Sequence, residues 1–75
     1  MTVADMKPNQ TGFIVRIDAG HGLSHRLETR GIRPGVAITK KSTQPLRGPV
    51  TIQVGGAELA LGFGIARRII VEVGG

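Results

Sequence analysis

The chain has 75 residues, with ten Lys or Arg against five Asp or Glu, a net charge of +5, two phenylalanines, and no Trp, Tyr or Cys. A domain this small buries only about 60% of the surface its unfolded chain exposes, which argues against a deep pocket, and the missing cysteines exclude disulfides, thiolate metal sites and a cysteine nucleophile. The positive balance permits an anionic partner, but the basic residues are scattered, paired only at Lys40-Lys41 and Arg67-Arg68, which suits a solubilising surface better than a nucleic-acid stripe.

Apolar runs of about five residues fall far short of the roughly 20 that span a bilayer. The opening MTVADMKPNQ has no apolar h-region, so no secretory signal is expected and a cytoplasmic location is the default. Lys7-Pro8-Asn9 predicts a turn over 7–10, since Pro presets φ and Asn tolerates the left-handed conformation. A strand follows over 12–18, GFIVRID. Its alternation places Phe13, Val15 and Ile17 on the inner face, with Ile14 as the exception. The stretch 19–22, AGHG, breaks it. A short helix is expected over 22–30, with Leu23 and Leu27 four apart on one face. A helix this short is marginal in water by itself, so packing must hold it.

Gly31 stands just past that helix end, where a left-handed residue is needed. Ile32 should then touch Leu27, as a Schellman ending requires. Arg33-Pro34-Gly35-Val36 reads as a type II turn. The next strand, 36–41, should turn Val36 and Ile38 inward and leave Lys40 and Lys41 near an exposed end. Residues 42–48 read as a loop, because Pro45 and Gly48 disfavour a ladder. Residues 49–54 alternate cleanly, with Val50, Ile52 and Val54 inward. Gly55-Gly56 signals a two-residue hairpin of type I′, in which both central residues have positive φ. Residues 57–61 pair back, 62–66 make a tight crossing of one helical turn, and 67–73 form a last strand with Ile69, Val71 and Val73 inward. The sum is a single domain over 1–75, all-β with a short inserted helix. So small an antiparallel sheet must curl into a partly closed barrel of about five strands to cover its apolar face.

Catalytic patterns are missing. No P-loop is present, and Gly62-Phe63-Gly64 lacks the spacing of a dinucleotide fingerprint. No Ser-His or Asp-Asp constellation is suggested, so an enzyme is not expected. His21 and His25 are four apart, a spacing used by zinc sites on helices, but His21 between two glycines should lie outside the helix, and a third ligand would have to be Asp18 or Glu28. They are weak candidates for a transition metal ion, Fe2+ or Zn2+. Two phenylalanines, one expected in the core, cannot build the aromatic groove of a proline-rich peptide binder or the stacking platform of a single-strand nucleic-acid binder. Nucleic acid is therefore not expected as a partner, nor is insertion into a membrane. A surface of turns, aliphatics and basic residues suits docking to a protein.

The runs RLETRGIRPGVAI, GPVTIQV and LALGFGIARRIIVEV, in that order, resemble the FeoA family of small proteins of bacterial ferrous iron transport. The resemblance rests on Leu23, Leu27, Gly31, Ile32, Pro34, Gly35, Ala60, Leu61, Ala66, Arg67, Ile69 or Ile70, and Val71, and covers nearly the whole chain. Asn9, Arg30 and Phe63 depart from the family pattern. If exposed, Phe63 adds an apolar spot near the crossing; the alternative is a core residue closing one barrel end. The resemblance implies an SH3-like barrel with an inserted helix, and an accessory role with FeoB, a permease carrying a cytoplasmic GTP-binding domain. The same module ends metal-dependent repressors of the DtxR type, so a metal-binding or sensing module is the alternative; the absence of room for a DNA-binding helix pair implies the free-standing form. The surface proposed for the partner is the helix and its exit, His25, Arg26, Thr29, Arg30 and Arg33, with Lys40 and Lys41 steering an acidic face. Gly31, Pro34, Gly35, Gly55 and Gly56 are the structural turn residues.

Overall fold

A computed structural model describes residues 1–43 and 48–74. A 3-10 turn at Val3–Asp5 leads to strand β1, Thr11–Ile17, then helix α1, His21–Thr29, then β2, Ala37–Thr43, β3, Val50–Val54, and β4, Ala57–Leu61. A four-residue helix α2, Phe63–Ala66, crosses to β5, Ile69–Glu72. The strands form one antiparallel sheet in the order β4-β3-β2-β1-β5. The fold is SH3-like, with a sheet that curls but leaves β4 and β5 unpaired with each other. Strand β2 runs on through Ser42 and Thr43, within the loop expected over 42–48; of the rest of that loop, Gly48 is outside any strand and 44–47 lie outside the described residues.

The core is aliphatic. The alternation of β3 puts Val50, Ile52 and Val54 inside, where they share one core with Ile38 of β2, Leu61 of β4 and Ile69 and Val71 of β5. Val3 and Met6 close the core from the N-terminal segment. Helix α1 starts one residue earlier than expected, so His21 is its first residue. Leu27 is buried and Leu23 packs half-buried beside it. The helix ends as a Schellman motif: Ile32 N–H donates to Leu27 O and Gly31 N–H to Glu28 O, both at 3.0 Å, with Gly31 at φ 87°. The type II turn follows, with Gly35 at φ 90° and Val36 N–H donating to Arg33 O at 3.2 Å. Asn9 takes the left-handed conformation in the first turn, φ 69°.

Three expectations are corrected. In β1, Ile14 is the buried residue, while Phe13 and Val15 are 55% and 46% exposed. The cause is a bulge. Ile14 faces Val71 and Arg16 faces Ile70, so β1 carries one extra residue between them and its alternation changes phase. Ile14 and Ile17 therefore both reach the core, three residues apart. In β2, Lys40 is not near an exposed end. It continues the inward series from Ile38 and is only 2% exposed, whereas Lys41, which sits at a second bulge, is exposed. At the β3–β4 hairpin only Gly55 has positive φ, 60°. That matches type II′, which needs it at the first central residue alone, and not type I′. Val73, expected inward, is half-buried.

Candidate docking groove

Packing α1 through Leu23 and Leu27 leaves a furrow between the helix and the end of the sheet. Leu23, Leu27, Leu61 and Ile65 form its floor, with Ala60 and Gly62 at the end of β4, and Arg26 and Arg30 stand over it. The groove is shallow, about 150 Å³. The heptad-like spacing explains it: the helix turns Leu23 and Leu27 to the sheet, and Arg26 and Arg30, each three residues on from a leucine, fall along the flank. Among the described residues the ion pair present is Arg16 with Asp18, at 2.9 Å. Neither groove arginine has a carboxylate partner there, so among the described residues two unpaired guanidinium groups border an apolar floor.

The structure brings His25, Arg26, Thr29, Arg30 and Arg33 together on α1 and its exit, all exposed. The Thr29 hydroxyl turns back to donate to Arg26 O at 2.7 Å. Lys40 does not join them. Its Nζ donates to Ala4 O at 2.9 Å and Met6 O at 2.6 Å, tying the N-terminal segment to the sheet. Burial pushes its pKa down, opposed by the Asp5 carboxylate. His21 and His25 are exposed, one turn apart on α1. Among the described residues no three His, Asp or Glu side chains are grouped to hold a metal ion, so Asp18 and Glu28 do not complete a site. Phe63 is half-buried, between the two alternatives, and borders a hollow with Thr2, Ala4, Asp5 and Arg67. Among the described residues no helix is long and apolar enough to cross a membrane.

The β4 and α2 side of the groove was missed in the sequence. Its signal was the apolar pair Leu61 and Ile65, four apart across the crossing, beside Ala60 and Gly62, which leave the furrow open.

The FeoA domain family matches residues 1–73. The chain belongs to the FeoA family. It is 36% identical over 70 residues to the "Putative Fe(2+) transport protein A" of Methanocaldococcus jannaschii, covering 93% of this chain and 83% of that one. A crystal structure of the iron uptake regulatory protein FeoA superposes with a TM-score of 0.87 at 35% identity, over 95% of this chain and 93% of the other. The zinc complex of Stenotrophomonas maltophilia FeoA, described as a procaryotic SH3 domain protein, shares the fold with a TM-score of 0.83 at 22% identity, over 96% and 89% of the two chains. A manganese-dependent transcriptional repressor shares it too, with a TM-score of 0.87 at 20% identity, this chain matching 41% of its length. The repressor connection implied by the sequence is thus one of fold. The FeoA-family chain resembles one segment of that larger protein.

Proposed function

We propose that this FeoA-family protein is a non-enzymatic accessory of ferrous iron uptake, acting as a single cytoplasmic domain that docks on the cytoplasmic part of a FeoB-type transporter. The observation that carries the reading is the groove: an apolar floor of Leu23, Leu27, Leu61 and Ile65 bordered by Arg26 and Arg30, which lack carboxylate partners among the described residues. A floor of this kind gains by burial, and guanidinium groups beside it select an acidic partner. The names of the relatives, an Fe(2+) transport protein and an iron uptake regulatory protein, support the biological setting. His25, Thr29 and Arg33 extend the surface, and Lys41 adds to the positive field.

Binding of the transporter's cytoplasmic domain to immobilised protein tests the surface. The Arg30→Glu variant is expected to fold normally and to retain that domain roughly tenfold less well, the scale of losing one charge-assisted contact. Retention equal to wild type would remove the assignment. Zinc in the Stenotrophomonas relative keeps a metal reading testable here. His21 and His25 supply two ligands, so calorimetry should show weak zinc binding at most, abolished by His21→Ala with His25→Ala. Tight stoichiometric binding would favour the sensing alternative.

A further inference from the structure

We propose that the groove receives an extended acidic and apolar segment of the partner, added as a sixth strand to the free edge of β4. The inference rests on the docking reading and names the docked piece. The two ends of the sheet are treated differently. The edge of β5 is covered by the chain's own start: Thr2 bridges Ile70, and Val71 N–H donates to Met1 O at 2.8 Å. Among the described residues β4 has β3 as its sole strand neighbour, and no further backbone bond reaches residues 57–61.

The register tells which groups are open. Val54 faces Ala57 across the two-residue turn, and the pairing continues to Val50 with Leu61. The residues flanking such a turn exchange both hydrogen bonds, and bonded and non-bonded pairs alternate from there. Ala57, Leu59 and Leu61 therefore turn their backbone groups to β3, while Glu58 and Ala60 present theirs outward. Edges are ordinarily protected by charged side chains, proline or a bulge. β4 reads AELAL with an uninterrupted register and carries neither proline nor bulge, and its single charge is Glu58.

The groove lies at the end of that edge. Ala60, Leu61 and Gly62 of the β4 side, with Ile65 of α2, face Leu23 and Leu27 across it. An added strand alternates its side chains, so apolar residues of one parity drop to the floor. Acidic residues on the same segment meet Arg26 and Arg30, whose planar forks grip carboxylates. A proline-rich ligand is disfavoured, because no aromatic side chain lines the groove.

Fluorescence polarisation with two ten-residue peptides tests the proposal, one alternating valine with aspartate and one alternating valine with asparagine. The aspartate peptide should bind roughly tenfold tighter than its asparagine analogue, the scale of a charge-assisted pair. Glu58→Pro removes one outward N–H while leaving the bonds to β3, as edge strands tolerate, and should weaken binding by roughly tenfold. Glu58→Ala keeps the N–H and discards a repelling charge, so it should bind as well as wild type or better. If the proline variant does not fold, amide exchange in the wild type decides: the peptide should slow the Glu58 and Ala60 amides. No saturable peptide binding, equal binding by a folded Glu58→Pro, or unchanged exchange at both amides overturns strand addition. The transporter's cytoplasmic domain separates the two readings. If it binds wild type and Glu58→Pro equally but loses Arg30→Glu, docking stands and strand addition falls. If it does not bind wild type while the peptide behaves as described, transporter docking falls and the edge site stands.

Discussion

Burying Lys40 takes an ammonium out of water, and the carbonyls of Ala4 and Met6 replace the water it loses. The exchange is incomplete, because burial still pushes its pKa below the ordinary 10.5. Between that lowered value and the ordinary one, the unfolded chain holds a proton the folded chain has released, so stability from this group rises with pH. Denaturant unfolding of the wild type should show that rise in the alkaline range, and Lys40→Met should lack it. Asp5 shares that sign in the acid range, but there the fold favours the charged form. Backbone and hydroxyl hydrogen bonds from Thr2 hold its pKa below the carboxylate range, so its contribution is present at neutral pH and lost as the pH falls through the lowered value. Lys40→Met preserves the buried stem but strands two carbonyls, and should lower stability by about 1–3 kcal/mol, with faster amide exchange at Val71, whose partner Met1 leads the tethered segment. Gly31 isolates a backbone effect. A Cβ there would meet Val54 Cγ1 at 3.8 Å, an ordinary contact, yet φ is 87°. Gly31→Ala should therefore lose about 1–2 kcal/mol from conformation alone, read from the unfolding midpoint.

At the scale of elements, α1 is held by what it buries. Leu27 is 4% exposed and lies against the strand core, so Leu27→Ala should lower stability by about 2–5 kcal/mol, much of what a domain this size possesses. Denaturation that finds Leu27→Ala as stable as wild type would show the helix to be unpacked. The helix, its Schellman ending and the Pro-Gly turn were legible because each depends on residues within five positions of one another. The phase of β1 was not. Counting alternation from Phe13 collects three apolar residues, Phe13, Val15 and Ile17, against Ile14 alone. The bulge reverses that sum, and it is set by pairing with β5, more than fifty positions away. Lys40 failed for a related reason. Its parity with Ile38 already placed it inside, but a lysine reads as surface until two carbonyls from the distant N-terminal segment are known to receive it.

The whole molecule presents a net charge of +5, and two of its arginines, Arg26 and Arg30, border a groove that no local pattern reveals, since α1 and β4 meet only through the fold. The helical half of that surface was readable from its charges; the edge of β4 was not, because a strand's position in the sheet order is a global property. This arrangement separates two electrostatic roles. On the docking reading proposed above, Lys41, exposed on β2 and outside the groove lining, would act through the long-range field. Arg30, which borders the groove, would act in contact. Stopped-flow association with the transporter's cytoplasmic domain should therefore divide them. Salt shortens the screening length from about 10 Å at 0.1 M to about 3 Å at 1 M, and the wild-type on-rate should fall over that range. Lys41→Glu should lower the on-rate at low salt, leave the off-rate unchanged and converge with wild type at high salt, as a rim charge does. Arg30→Glu should instead raise the off-rate at every salt concentration, because the proposed contact is a short-range, charge-assisted one. An off-rate that Arg30→Glu leaves untouched would move the contact away from α1, whatever the steering effect of Lys41.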